Sequence, residues 1–118
     1  MLGGVFVEEK KRFIQEFVPG KQITLAHVIS NPKRDLCERI GVDNRGAVGI
    51  MTITPGEGSI IAADAASKAV DIHIEFVDRF TGCLIFSGEV SAVEMGLRVA
   101  VQVLESVLGF APAEITHT

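Results

Sequence analysis

Apolar positions recur in two rhythms along this 118-residue chain, and the switches between them lay out its elements. In residues 22–30 (Q-I-T-L-A-H-V-I-S), Ile23, Leu25, His27 and Ile29 alternate with Thr24, Ala26 and Val28, the period of a strand. Leu36, Cys37 and Ile40 then share one helical face. Asn31 is expected to cap that short helix, with Pro32 at its first position and Gly41 as its stop. Residues 46–54 return to strand character around Gly49, where a neighbouring group is expected to approach closely. Thr54-Pro55-Gly56-Glu57 has the spacing of a capping box with proline at the first helical position, so a helix is expected from there to about Ala69. Its small residues, Ala62, Ala63, Ala65, Ala66 and Ala69, permit close packing.

The second half repeats the alternation. Ile72, Ile74 and Phe76 oppose Asp71, His73 and Glu75, and 83–88 is the return strand. In the helix expected over 89–108, polar residues at 91, 94, 98, 102 and 105 form one narrow stripe, so most of its circumference should be buried. Gly109 ends it and 112–117 make a last strand. The order over 46–117 is β-α-β-β-α-β, a ferredoxin-like α/β (α+β) core with helices packed on a mixed or antiparallel sheet. Residues 21–118 make one domain, preceded by a strand and turn over 13–20 and a mobile tail over 1–12. The segment 13–18 (F-I-Q-E-F-V) is closed by Pro19-Gly20 and has no neighbour to pair with except 22–30, unless it pairs between subunits.

Composition sharpens this picture. Hydrophobic residues make up 47% of the chain without a Trp or Tyr, and the mean hydropathy is +0.37. That aliphatic excess calls for subunit interfaces that complete the burial. Apolar runs are interrupted well short of the roughly 18 residues that cross a bilayer, so no membrane partner is expected. The net charge of −4, with no like-charge block longer than Lys10-Lys11-Arg12, argues against nucleic acid as a partner. The first residues lack a basic region and a cleavage site, so no signal peptide is expected.

Candidate chemistry is sparse. Cys37 and Cys83 are expected as free thiols in a reducing cytosol. His27, His73 and His117 are spread over three strands, and catalysis or metal binding would need nearby carboxylates or a second ligand at short spacing. Ser59 and Ser67 have no triad partners. No catalytic residue, cofactor or metal site is expected. Asp64 and Lys68 stand four apart on one helix, in the order that favours an ion pair.

Four ordered blocks resemble the shell proteins of bacterial microcompartments. Ala62-Ala63-Asp64-Ala65-Ala66-Ser67-Lys68-Ala69 is similar to the family's first helix, and Gly88-Glu89-Val90-Ser91-Ala92-Val93 to the opening of its second. Asp78-Arg79-Phe80-Thr81-Gly82 sits where the family carries a pore loop. His27-Val28-Ile29-Ser30-Asn31-Pro32 resembles a unit that usually ends the family's chain, so its position here is that of the circularly permuted branch. The runs 14–22, 24–27, 49–55 and 78–82 are similar to members of that branch from ethanolamine- and propanediol-utilisation compartments.

The resemblance implies a non-enzymatic structural protein of the cytoplasm. It would form cyclic homohexamers that tile a shell with other shell proteins around encapsulated enzymes. It implies a barrel in which Phe13, Ile14, Gln15, Glu16, Phe17 and Val18 of each subunit supply one strand over the hexamer axis. Asp78, Arg79, Phe80, Thr81 and Gly82 would then line the pore, and Lys68 and Asn31 would lie at the hexamer edge. The chain departs from the family at three places. Phe80-Thr81 replaces Gly-Ser in the pore loop, Asn31 replaces an arginine, and Gly46 is expected to act as a hinge. A ferredoxin-like regulatory domain binding a small metabolite at a subunit interface is the alternative.

Overall fold

The computed structural model describes residues 20–118. The expected tail over 1–12 and the strand 13–18 therefore lie outside the described residues. Five strands and three helices follow in the order β1 (Gln22–Ser30), α1 (Arg34–Ile40), β2 (Ala47–Thr54), α2 (Gly58–Ala69), β3 (His73–Asp78), β4 (Cys83–Gly88), α3 (Val90–Leu108) and β5 (Thr116–His117). The sheet runs β3-β4-β2-β1-β5. All pairings are antiparallel except β1 with β5. It is thus a mixed sheet, as expected, with the early strand β1 standing between β2 and the last strand.

α2 and α3 cover one face. Phe86, Met51, Ile53, Leu84, Leu97, Leu104 and Val93 are fully buried between sheet and helices. Ala62 and Ala66, both fully buried, let α2 lie close. A methyl group on Gly49 would stand 2.9 Å from Val93 and 3.0 Å from Phe86, so this strand position is kept bare by its neighbours, as expected.

Two bulges change which residues face that core. In β1 the register shifts between Ile23 and Leu25, leaving Thr24 unpaired. Ile23, Ala26 and Val28 point into the core, while Leu25, His27 and Ile29 take the other face. In β3 the shift falls between Ile74 and Phe76, so Ile74 pairs with Phe86 on the core face and Phe76 with Ile85 on the other. An extra residue reverses the alternation that follows it, which is why uninterrupted alternation failed for both strands.

The caps were also misplaced. Thr54 is the last residue of β2, the Thr54–Pro55 peptide is cis, and α2 begins at Gly58 without a side-chain cap. Pro55-Gly56 acts as a turn. Helix α1 begins at Arg34, and Asn31 instead takes a left-handed backbone with φ of 52°. Asparagine tolerates that region better than most residues. The helix stops at Gly41 and Gly109 stand as expected, both in left-handed C-caps. The strand expected over 112–117 shrinks to Thr116–His117, with Ala111 held by a separate parallel bridge to Gln22 and Pro112 between them lacking an N–H to give a ladder.

Helix α3 buries less than its narrow polar stripe suggested. Val93, Gly96, Leu97, Ala100 and Leu104 face inward. Met95 and Val107 stay exposed, Val107 at 71%. The aliphatic excess therefore remains as surface on the single chain.

Candidate functional site

The five residues expected at the pore form the turn between β3 and β4, and the fold fixes them from three sides. Asp78 accepts hydrogen bonds from the backbone N–H of Phe80 at 2.9 Å and from the Thr81 hydroxyl at 2.8 Å. These bonds, the Phe80 N–H first and the Thr81 hydroxyl second, hold the Asp78 carboxyl below its ordinary pKa. The Gly82 N–H closes the turn on the Asp78 carbonyl at 2.7 Å, and the Gly82 carbonyl receives the Ile53 N–H at 3.0 Å. Gly82 has φ of +79°, and a methyl group there would sit 1.8 Å from the Ile53 carbonyl oxygen. Gly56 is equally confined: its methyl would meet the Arg79 carbonyl at 2.0 Å.

Ser59 braces the turn from below. It is fully buried, and its hydroxyl lies 2.7 Å from the Gly56 carbonyl and 3.4 Å from the Asp78 carbonyl. Sequence reasoning missed Gly56 and Ser59 because Thr54–Glu57 was read as a helix cap. The Pro-Gly pair was an available turn signal. At the tip Phe80 is 82% exposed, with the Arg79 guanidinium 4.9 Å from its ring centre. Burial, followed by the nearby Asp78 charge, raises the pKa of the Cys83 thiol, so it is a poor nucleophile at neutral pH.

The other residues singled out from sequence gather at the opposite end of the domain. β4 runs from Cys83 at the tip to Gly88, which pairs with Ala47. There the Asn31 N–H donates to the Gly46 carbonyl at 2.8 Å, joining two positions that sequence reading treated separately. Gly46 has φ of +116° and stands beside the Gly88 carbonyl. Lys68 lies in the last turn of α2 and pairs with Asp64 at 3.0 Å, both largely exposed. Lys68 follows Ser59 under the tip by nine positions, about 14 Å along the helix axis. Helix α2 thus spans from the aromatic tip to the Lys68 end.

The described chain enters the sheet at the tip end. Gln22 pairs with Thr54, while Ser30 at the far end of β1 pairs with Ala47. Of the histidines, His27 bonds the hydroxyls of Thr116 and Thr118. His117 reaches Glu94 at 2.7 Å, tying β5 to α3. His73, where the sequence predicts no metal site, is brought within 4.8 Å of carboxylates of Asp43 and Glu75.

The sheet is thus clad by helices on one face, with exposed apolar residues on α3 and an aromatic ring at the tip of a braced turn. The chain belongs to the bacterial microcompartment shell family: the family model described as the BMC domain matches residues 47–115. It is 54% identical over 109 residues to the bacterial microcompartment shell protein EutS of Salmonella typhimurium, covering 92% of this chain and 98% of that protein. It is 50% identical to the shell protein PduU of the same organism, covering 91% of this chain and 93% of PduU. Among solved structures, a CutR flat hexamer matches with a TM-score of 0.81 at 49% identity, covering 92% of each chain. No described helix is long and apolar enough to cross a membrane.

Proposed function

We propose that this chain is a non-enzymatic tile of a microcompartment shell in the bacterial cytoplasm, a cyclic homohexamer whose axis is crowded by the Asp78–Gly82 turn. Phe80 carries this reading: its ring stands 82% exposed at the tip of a turn braced by backbone contacts, held out where a neighbouring subunit can cover it. Six copies around an axis cover one another's rings and narrow the passage between them. The exposed Met95 and Val107 of α3 supply apolar surface for contacts between subunits.

Two further observations support the same arrangement. The chain leading into β1 arrives at the tip end of the sheet, so residues 13–18 are tethered close to the axis in this arrangement. A barrel of six such strands satisfies their backbone groups without a free edge and caps the pore. At the other end Lys68 and Asn31 meet neighbouring tiles, and Gly46 permits hinging. β1 and α1 precede the span matched by the family model, which supports a circularly permuted connection. Other shell proteins and encapsulated enzymes are then the partners at the edges and faces.

Light scattering on the full chain should give a mass close to six chains, and electron microscopy should show rings with density over the centre. Removing residues 1–18 should leave the rings and open the centre. A stable monomer at micromolar concentration sinks the tile reading. Rings whose centre looks the same with and without residues 1–18 sink the barrel.

A further inference from the structure

We propose that Asp43, His73 and Glu75 form a binding site for a first-row divalent cation of the zinc type. The three side chains each offer one ligand atom, and these atoms lie within 4.8 Å of one another. Around a cation with bonds of about 2.0–2.2 Å, ligand atoms stand roughly 3–4 Å apart. Rotations of the side chains that close the set by roughly 1 Å reach that spacing.

The set is assembled by tertiary structure. Asp43 comes from the loop between α1 and β2, while His73 and Glu75 come from the sheet-edge strand β3. The β3 bulge leaves Glu75 out of the ladder with β4. The Glu75 carboxylate is instead oriented through Oε2, which accepts from the buried Ser87 hydroxyl at 2.6 Å and from the Asp43 N–H at 3.3 Å. Its Oε1 has no such bond among the described residues. Outer hydrogen bonds of this kind orient a ligating carboxylate.

His73 differs from the other two histidines. His27 and His117 are engaged by hydroxyls and a carboxylate, whereas the His73 ring has no hydrogen bond among the described residues. It borders an open cleft of about 470 Å³ whose lining also includes Asp71, Glu89 and Arg45. Arg45 is the one basic group there and holds Asp43 through Oδ2 at 3.2 Å, which leaves Oδ1 for a cation. One imidazole with two carboxylates suits zinc, cobalt or nickel better than calcium or magnesium, which favour all-oxygen sets. A bound ion would staple the loop ahead of Gly46 to the edge of the sheet. The three ligands leave at least one position for water.

The test is calorimetric titration of the full-length protein with zinc chloride, alongside His73→Ala and Asp43→Asn. Saturable uptake of one zinc per chain is expected, with a raised melting temperature, and both variants should lose uptake and shift. Cobalt(II) should give a visible spectrum without a thiolate charge-transfer band, unchanged by Cys83→Ser. No saturable uptake by the native chain, full affinity retained in either variant, or uptake that vanishes in Cys83→Ser would each overturn the site.

Discussion

The two ends of the sheet are held by different physics. At the tip end, Gly56 and Gly82 pack backbone against backbone, leaving no room for even one methyl group. Asp78 and the buried Ser59 add hydrogen bonds to the same few atoms. At the far end, the contacts are exposed ion pairs, the Asn31–Gly46 backbone hydrogen bond and the Ser87–Glu75 pair, and a methyl group on Gly46 would stand at 3.4 Å from its nearest atom. The tip glycines leave no space for an added methyl, whereas one on Gly46 would meet only ordinary contact distances. In the proposed hexamer a fixed end suits a closed ring around an axis, and a yielding end suits an edge that meets different neighbours.

A matched pair of substitutions breaks the comparison most directly. Gly82 and Gly46 both have positive φ, at +79° and +116°. Gly82→Ala adds a steric collision with the Ile53 carbonyl and should destabilise the chain by about 3 kcal/mol or more. Gly46→Ala meets its nearest atom at 3.4 Å, so backbone strain alone should cost about 1–2 kcal/mol. Denaturant unfolding of the two variants measures this directly, and equal losses would erase the distinction between the ends.

A gentler probe is pH. The carboxyl of Asp78 has a lowered pKa in the folded chain, so its contribution is complete above the ordinary carboxylate value and lost as pH falls through the lowered one. Asp78→Asn should therefore be less stable than the native chain at neutral pH. The gap should close as pH drops below about 4. A gap that stays constant down to pH 2 would mean that the Asp78 charge does not hold the turn.

The smallest effect on folding is expected at Lys68. Its ion pair with Asp64 is exposed on both sides, so Lys68→Asp should change stability by no more than about 0.5 kcal/mol, including the new like-charge pair. Sheet assembly is a separate readout. Intact rings that no longer tile would place Lys68 at the edge, and unchanged tiling would return it to the solvated surface.

How far the sequence carried depended on whether the signal was local. Alternation and helical spacing gave the order of the elements. Gly41 and Gly109 marked helix ends because a left-handed C-cap depends on a few adjacent residues. The close approach at Gly49 was also legible, though not the identity of its neighbours Val93 and Phe86. The bulges at Thr24 and Glu75 were not legible, because a bulge is chosen by what the partner strand and the core require. The capping box at Thr54 failed for a related reason. Its residues do favour a helix start, but Thr54 belongs to the strand and Gly56 forms a wall of the turn at 78–82.

For the candidate site, the five turn residues came from a resemblance between blocks of sequence, since nothing in their chemistry sets them apart from another polar hairpin. By itself the sequence determined the elements, the aliphatic excess and the family, all properties carried by neighbouring residues or by their order. Tertiary structure decided that Ser59 and Gly56 brace the tip, that Asn31 meets Gly46, and that Asp43 stands beside His73 and Glu75. Those contacts join residues far apart in the chain, and their geometry exists only once the hydrophobic core has closed and set the sheet register.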